Sequence, residues 1–208
     1  MELEQIQKSY ARYAPIYDLT FGWLLGIEGR GYAAERTNAT AGRVLDVGVG
    51  TGISLKHYRK DHDLYGIDIS SHMLEKARQR AARIGRDEKL THLIEMDAEH
   101  LDFPDAWFDS VVACYVMSVV PNPHKALMEI ERVCKPGADV IIINHFIAEK
   151  GLLRKAEQWL APFSGRLGWR PDMEISEILG HTRLELVEKQ TLPPMGLFTM
   201  LHLRKTAG

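Results

Sequence analysis

The chain has 208 residues, 45% hydrophobic and 26% charged, a balance that excludes a disordered or fibrous protein and allows one sizeable core. With 26 basic and 28 acidic side chains the formal charge is −2, so no global basic excess argues for nucleic acid. No apolar run reaches the ~18 residues of a membrane span, no signal peptide is expected, and the scattered cysteines and histidines lack the spacing of a metal site.

Residues 3–36 predict helices ahead of the first strand. Leu3, Ile6, Tyr10, Tyr13, Ala14 and Tyr17 share one face at helical periodicity, and Pro15 ends or kinks that face. Residues 40–47 lead into a first strand, and 51–60 read as the helix after it. A second strand ends at Asp68, and Ser70 or Ser71 caps a helix running to about Ile84. Residues 90–96 are a third strand, 101–105 a turn, and 110–114 a fourth strand. Asn122-Pro123 opens a helix that stops at the turn Lys135-Pro136-Gly137. Residues 138–145 are a nearly continuous apolar run, as a central strand requires. Residues 149–170 read as an inserted basic, tryptophan-bearing amphipathic helix, and two terminal strands, 184–189 and 196–203, read as antiparallel. Strands and helices alternating in this way predict a single α/β domain over 1–208 with a doubly wound, mostly parallel sheet. Cys114 and Cys134 read as reduced thiols, and His62, His72 and His124 as surface residues.

The densest information lies in Leu45-Asp46-Val47-Gly48-Val49-Gly50-Thr51-Gly52. A short apolar strand runs into glycines at alternate positions, where the backbone turns tightly and a ligand can lie against it. A dinucleotide fingerprint needs a glycine where Ile53 stands, which disfavours a dehydrogenase. Asp68 follows the loop at close to the ~20-residue spacing of an acid that accepts ribose hydroxyls. Loop, strand and spaced acid together resemble the nucleotide site of S-adenosylmethionine-dependent methyltransferases.

That resemblance implies a Rossmann-like class I fold with seven strands and an N-terminal helical lid over 1–36. It also implies S-adenosylmethionine as methyl donor and S-adenosylhomocysteine as product. It puts Asp46, Gly48, Gly50, Thr51, Gly52, Asp68 and Ile69 at the cofactor, with Asp97 and Ala98 at the adenine edge. Met73 lies against the adenine or in the core. Asp46 alternatively braces the loop, Asp97 alternatively caps a turn, and Tyr115 either lines the floor below the sulfonium or packs in the core.

The acceptor is read from the rest of the chain. The segments Lys8-Ser9-Tyr10-Ala11-Arg12-Tyr13-Ala14-Pro15-Ile16-Tyr17-Asp18, Tyr115-Val116-Met117-Ser118-Val119-Val120-Pro121-Asn122-Pro123, Ile143-Asn144-His145-Phe146 and Leu192-Pro193-Pro194-Met195-Gly196 resemble the soluble bacterial phosphatidylethanolamine N-methyltransferases of the Rhodobacter type. Ala138 departs from a second glycine common after Pro136-Gly137. The resemblance implies stepwise methylation of a lipid amine to phosphatidylcholine at an anionic membrane surface, by a peripheral protein of the cytoplasmic face. Tyr17, Tyr115, Asn144 and His145 are the candidates for handling the amine and its proton, Tyr17 also touching the cofactor. A quinone C-methyltransferase, a small-molecule methyltransferase and a non-catalytic S-adenosylmethionine-binding protein are the alternatives. No metal and no nucleic acid are expected.

Overall fold

The computed structural model describes residues 27–39, 42–148, 154, 159, 162, 169–180, 182–193 and 196–206. Tyr17, Lys8, Arg12 and most of the expected lid therefore lie outside the described residues, as does most of 149–168. Helix α1 (Ile27–Thr37) precedes strands β1 (Arg43–Val47) and β2 (Asp63–Asp68) and helix α2 (Ser71–Arg83). Strands β3 (Thr91–Glu95) and β4 (Phe108–Cys114), helix α3 (Pro123–Val133) and strand β5 (Cys134–Asn144) follow. The chain ends with the short helix α4 (Ile175–Leu179) and strands β6 (Leu184–Leu192) and β7 (Phe198–Lys205).

The seven strands form one sheet in the order β3-β2-β1-β4-β5-β7-β6. The first five run parallel, and β7 inserts antiparallel between β5 and β6. This is the doubly wound, mostly parallel, Rossmann-like sheet expected from the sequence. Its order reverses between β1 and β4, which puts the ligand crevice beyond the carboxyl ends of those two strands.

Strand alternation distributes the apolar residues to two cores. Leu45, Val111 and Ile142 face one side, where α3 contributes Ala126, Leu127 and Ile130. Val44, Val112 and Ile141 face the other, against Ala33 and Ala34 of α1 and Leu74 and Ala77 of α2. The helix starts are specified locally. Asn122 accepts from Lys125 N at 3.1 Å with Pro123 in the first turn, and Ser70 accepts from Met73 N at 3.4 Å.

Three expectations are corrected. The helix over 51–60 is only the short 3₁₀ segment Ile53–Lys56. The reason is competition for its carbonyls: the buried Arg86 guanidinium donates to the oxygens of Leu55 (3.1 Å), Tyr58 (3.1 Å) and Arg59 (3.2 Å). Asn38 takes the oxygen of His57 at 2.9 Å. The turn at Lys135-Pro136-Gly137 is absorbed into β5 as an irregularity. Phe108 pairs with Cys134 and Ser110 with Asp139, so four residues stand opposite Asp109, with Gly137 at φ 81°. His62 is fully buried rather than on the surface, its ring 3.1 Å from Asn38 Oδ1. The two cysteines are buried free thiols.

Candidate active site

The glycine loop after β1 holds three left-handed residues, Gly48 (φ 68°), Gly50 (φ 56°) and Gly52 (φ 76°). Each serves a different purpose. A Cβ on Gly48 would collide with Val116 Cγ2, so this glycine lets the loop after β4 close on the loop after β1. A Cβ on Gly52 would press on Leu55 and on Ala77 of α2, so it lets α2 approach. A Cβ on Gly50 would meet nothing nearer than Gly48 O at 3.9 Å. Its bare face opens into the crevice, which is the cradle a close-lying ligand needs.

The crevice spans about 1000 Å³, the solvent at its open mouth included. Gly48, Gly50 and Thr51 line it from the β1 side, Asp68, Ile69 and Met73 from β2 and α2, and Met96, Asp97 and Ala98 from beyond β3. Tyr115, Val116, Val119 and Val120 close it beyond β4. Asp68 is oriented by the backbone it follows. Its Oδ2 accepts from Gly50 N at 3.0 Å and its Oδ1 from Ser70 N at 2.9 Å. Burial raises its pKa, and those amides oppose the rise. The Ile69 amide opposes the rise as well, and the lone-pair capacity that these amides leave suits vicinal hydroxyls. Asp97 both lines the crevice and braces its own turn, accepting from Glu99 N at 2.9 Å. Met73, only 3% exposed, likewise belongs to core and crevice at once.

This donor set fits S-adenosylmethionine. A carboxylate is held for ribose, Ile69, Met73, Met96 and Ala98 give apolar faces for a base, and a Cβ-free backbone leaves room beside them.

Four expected residues do not line the crevice. Asp46 is buried beneath the loop and accepts from Ser54 Oγ at 2.6 Å, so it ties β1 to the 3₁₀ segment as a brace. Desolvation pushes its pKa up to about 6 despite that hydrogen bond. Gly52 faces α2, as described. Asn144 is fully buried, its amide donating to His145 O at 2.9 Å and lying 3.7 Å from Met173 sulfur. His145 turns to the β6–β7 connection, with Nδ1 2.8 Å from Leu197 O and its ring edge-on to Trp169 at 5.1 Å. Asn144 ends β5 and His145 follows it, and the covering segments direct both into packing.

Tyr115 does line the crevice, and in an unusual conformation. Its φ is 63°, its amide donates to Ile143 O at 2.6 Å, and its ring meets Phe198 edge-on at 5.0 Å. Arg30 of α1, which sequence reasoning missed, lies with its guanidinium 4.9 Å from the Tyr115 ring centre. No motif marks Arg30. Its only sequence signal is a charge between Gly29 and Gly31 on a helix that turns out to cover the crevice.

Comparison with known proteins agrees with this geometry. A family model described as a methyltransferase domain matches residues 45–142. A phosphatidylethanolamine N-methyltransferase from Cereibacter sphaeroides is 45% identical over 99% of this chain and 100% of its own. A demethylmenaquinone methyltransferase from Deinococcus radiodurans is 34% identical over 68% of this chain and 60% of its own. Among solved structures, the [4+2]-cyclase SpnF superposes with a TM-score of 0.79 over 98% of this chain and 96% of its own, at 20% identity. That last match speaks for the fold alone, since one fold hosts many chemistries. The full-length match at 45% identity decides the family: this chain belongs to the phosphatidylethanolamine N-methyltransferase family of class I methyltransferases.

Proposed function

We propose that the protein transfers methyl groups from S-adenosylmethionine to the amine of phosphatidylethanolamine and of its mono- and dimethyl derivatives, giving phosphatidylcholine. The single observation that carries this reading is the end-to-end match to the Cereibacter enzyme, which extends beyond the shared sheet into both termini.

When bound, S-adenosylmethionine supplies a methyl group made electrophilic by its sulfonium. The residues of this chain supply position and a dry wall. Asp68 and Asp97 hold the nucleoside end, and the loop backbone at Gly48 and Gly50 lets the ligand lie close. Val116, Val119, Val120 and Pro121 give the crevice an apolar wall beyond β4. An alkylammonium in water has a pKa of roughly 10, like lysine, and apolar walls lower it, favouring the neutral nucleophile. Tyr115 is the described candidate at the acceptor side. Its hydroxyl is buried against Gly29 of α1, so what it offers an in-line displacement is the placement of its ring in the crevice wall. Tyr17 remains a proposed partner from the lid.

We also read residues 1–208 as one domain, with 1–36 as lid and 149–170 as an inserted segment. No helix among the described residues is long and apolar enough to cross a membrane. In this reading the protein reaches its lipid from the cytoplasmic side as a peripheral protein on an anionic surface. Trp159 is 70% exposed, which suits an interfacial contact. Arg154 and Arg170, by contrast, are engaged internally, with Glu174 at 2.7 Å and Glu177 at 3.0 Å. The membrane cations are therefore sought among Lys8, Arg12, Lys155 and Arg166.

The test is labelled S-adenosylmethionine with vesicles containing phosphatidylethanolamine, or with a demethylated quinol, and chromatography of the products. Labelled mono-, di- and trimethylated lipid is expected. Label on the quinol and none on lipid would overturn the reading.

A further inference from the structure

Resting on that reading, we propose that Glu99 is a positioning residue for methyl transfer, a strut that fixes the spacing between the nucleoside end of the crevice and the wall beyond β4. Glu99 is 9% exposed and stands behind the crevice rather than in it. Its two polar groups bond to opposite sides. Its amide donates to Asp97 Oδ1 at 2.9 Å, on the turn beyond β3. Its Oε1 accepts from Asn122 N at 2.7 Å, at the start of α3. Asp97 lines the nucleoside end, and Pro121, next to Asn122, belongs to the apolar wall. One residue thus joins two segments that border the crevice from different strands.

The bond to Asn122 replaces one that α3 cannot make for itself. Asn122 is the N-cap of α3, and its side chain accepts from Lys125 N at 3.1 Å. In a capping box the third helical residue returns a side-chain oxygen to the N-cap amide. In α3 that residue is Lys125, which has no acceptor. Glu99, 23 residues earlier, supplies the oxygen instead, and its charge suits the positive end of the helix. A carboxylate at position 125 would serve capping alone. A carboxylate carried on the Asp97 turn also ties the start of α3 to the nucleoside end.

The rest of the wall is a tight turn with its own anchors. Val116 O accepts from Val119 N at 2.9 Å and from Val120 N at 3.1 Å, and Arg170 N donates to Ser118 O at 2.9 Å from outside. Glu99 holds the end of that turn nearest Asp97. In-line displacement needs nitrogen, methyl carbon and sulfur on one line, and a misplacement of about 1 Å can cost about 10²-fold in rate. The Asp97 side places the donor and the wall borders the acceptor. The strut between them therefore governs alignment more than affinity for either.

Reach and charge are separable, and three substitutions separate them. Glu99→Gln keeps the length and an acceptor oxygen but loses the charge. Glu99→Asp keeps the charge and is one methylene shorter. Glu99→Ala removes the carboxylate and keeps the amide that meets Asp97. The readouts are calorimetry with S-adenosylhomocysteine, thermal melting, and steady-state kinetics at saturating donor, well below every melting temperature. The vesicles contain phosphatidylethanolamine and phosphatidylglycerol. Glu99→Gln should keep kcat within about threefold, whereas Glu99→Asp and Glu99→Ala should lose about tenfold or more. Lipid KM and S-adenosylhomocysteine affinity should stay within about threefold in all three, the pattern of an interaction that acts on the transition state.

An unchanged kcat in Glu99→Ala would overturn the proposal. So would activity that follows charge, with Glu99→Asp active and Glu99→Gln impaired, since that assigns Glu99 an electrostatic role. A loss of S-adenosylhomocysteine affinity in step with kcat would show a loosened donor site and overturn it too. If Glu99→Ala fails to fold, Glu99→Gln against Glu99→Asp decides. A wild type that methylates the quinol and no lipid amine would overturn the functional reading alone, and the same series on that acceptor still decides the role of Glu99.

Discussion

Single atoms decide whether the crevice can hold a ligand. Gly50→Val adds an isopropyl group at φ 56°, where a β-branched residue is strained, and it fills the space beside Gly48 O. We expect S-adenosylhomocysteine binding to be lost by calorimetry and ligand-induced thermal stabilisation to vanish with it. Asp46 carries a different consequence. Its carboxyl titrates near 6 in the folded chain, above the ordinary value of 3.8, because burial penalises its charge. Between about pH 4 and pH 6 the folded state thus keeps a proton that the unfolded state has released. The group's contribution to stability falls as pH rises through that window, by on the order of 3 kcal/mol at most. Asp46→Asn, whose Oδ1 still accepts from Ser54, should remove this share. Urea denaturation across the window is expected to show the variant gaining on the wild type as pH increases. A constant difference between them would mean that Asp46 does not titrate there.

At the scale of elements, side chains distant in sequence replace helical hydrogen bonds. The segment after the glycine loop is only briefly helical because Arg86, from beyond α2, occupies the carbonyls of Leu55, Tyr58 and Arg59. Arg86→Met keeps much of the volume and strands those acceptors. Buried unsatisfied groups cost about 1–3 kcal/mol each, and partial access of water to the segment makes roughly 2–4 kcal/mol the expected loss in denaturant titration. Since Ser54 of the same segment braces Asp46, S-adenosylhomocysteine affinity should weaken as well. Helix α1 shows the converse. It is tied to the far edge of the sheet by Arg36, which pairs with Glu188 of β6 at 3.1 Å, and its other end brings Gly29 and Arg30 to Tyr115.

For the whole molecule, the expectation is a protein that reads its lipid through charge at a surface. Lys8, Arg12, Lys155 and Arg166 would each contribute up to ~1 kcal/mol near an anionic bilayer. Co-sedimentation with anionic vesicles should weaken as the Debye length falls from ~10 Å at 0.1 M salt to ~3 Å at 1 M. Removing residues 1–12 should reduce vesicle binding and turnover together while the sheet stays folded. Binding that ignores both salt and the deletion would refute this surface.

The sequence by itself determined the parallel sheet, the capped starts of α2 and α3, and the glycine loop that lines the crevice together with Asp68 and Asp97. These are short-range matters: strand alternation, turn chemistry and capping act within a few residues, and residues just beyond the carboxyl ends of parallel strands border the crevice. The tertiary structure alone decided which polar residues at strand ends reach the ligand. Asn144 and His145 look equivalent to Tyr115 along the chain, yet the β6–β7 hairpin and the residues around Met173 and Trp169 enclose them. Asp46, a good ligand candidate by position, is turned under the loop by Ser54. Arg30 had no local signature, because its meaning comes from α1 lying across β4 and β5. Local rules specify elements, but the face a side chain presents depends on register and on packing between segments far apart in the chain.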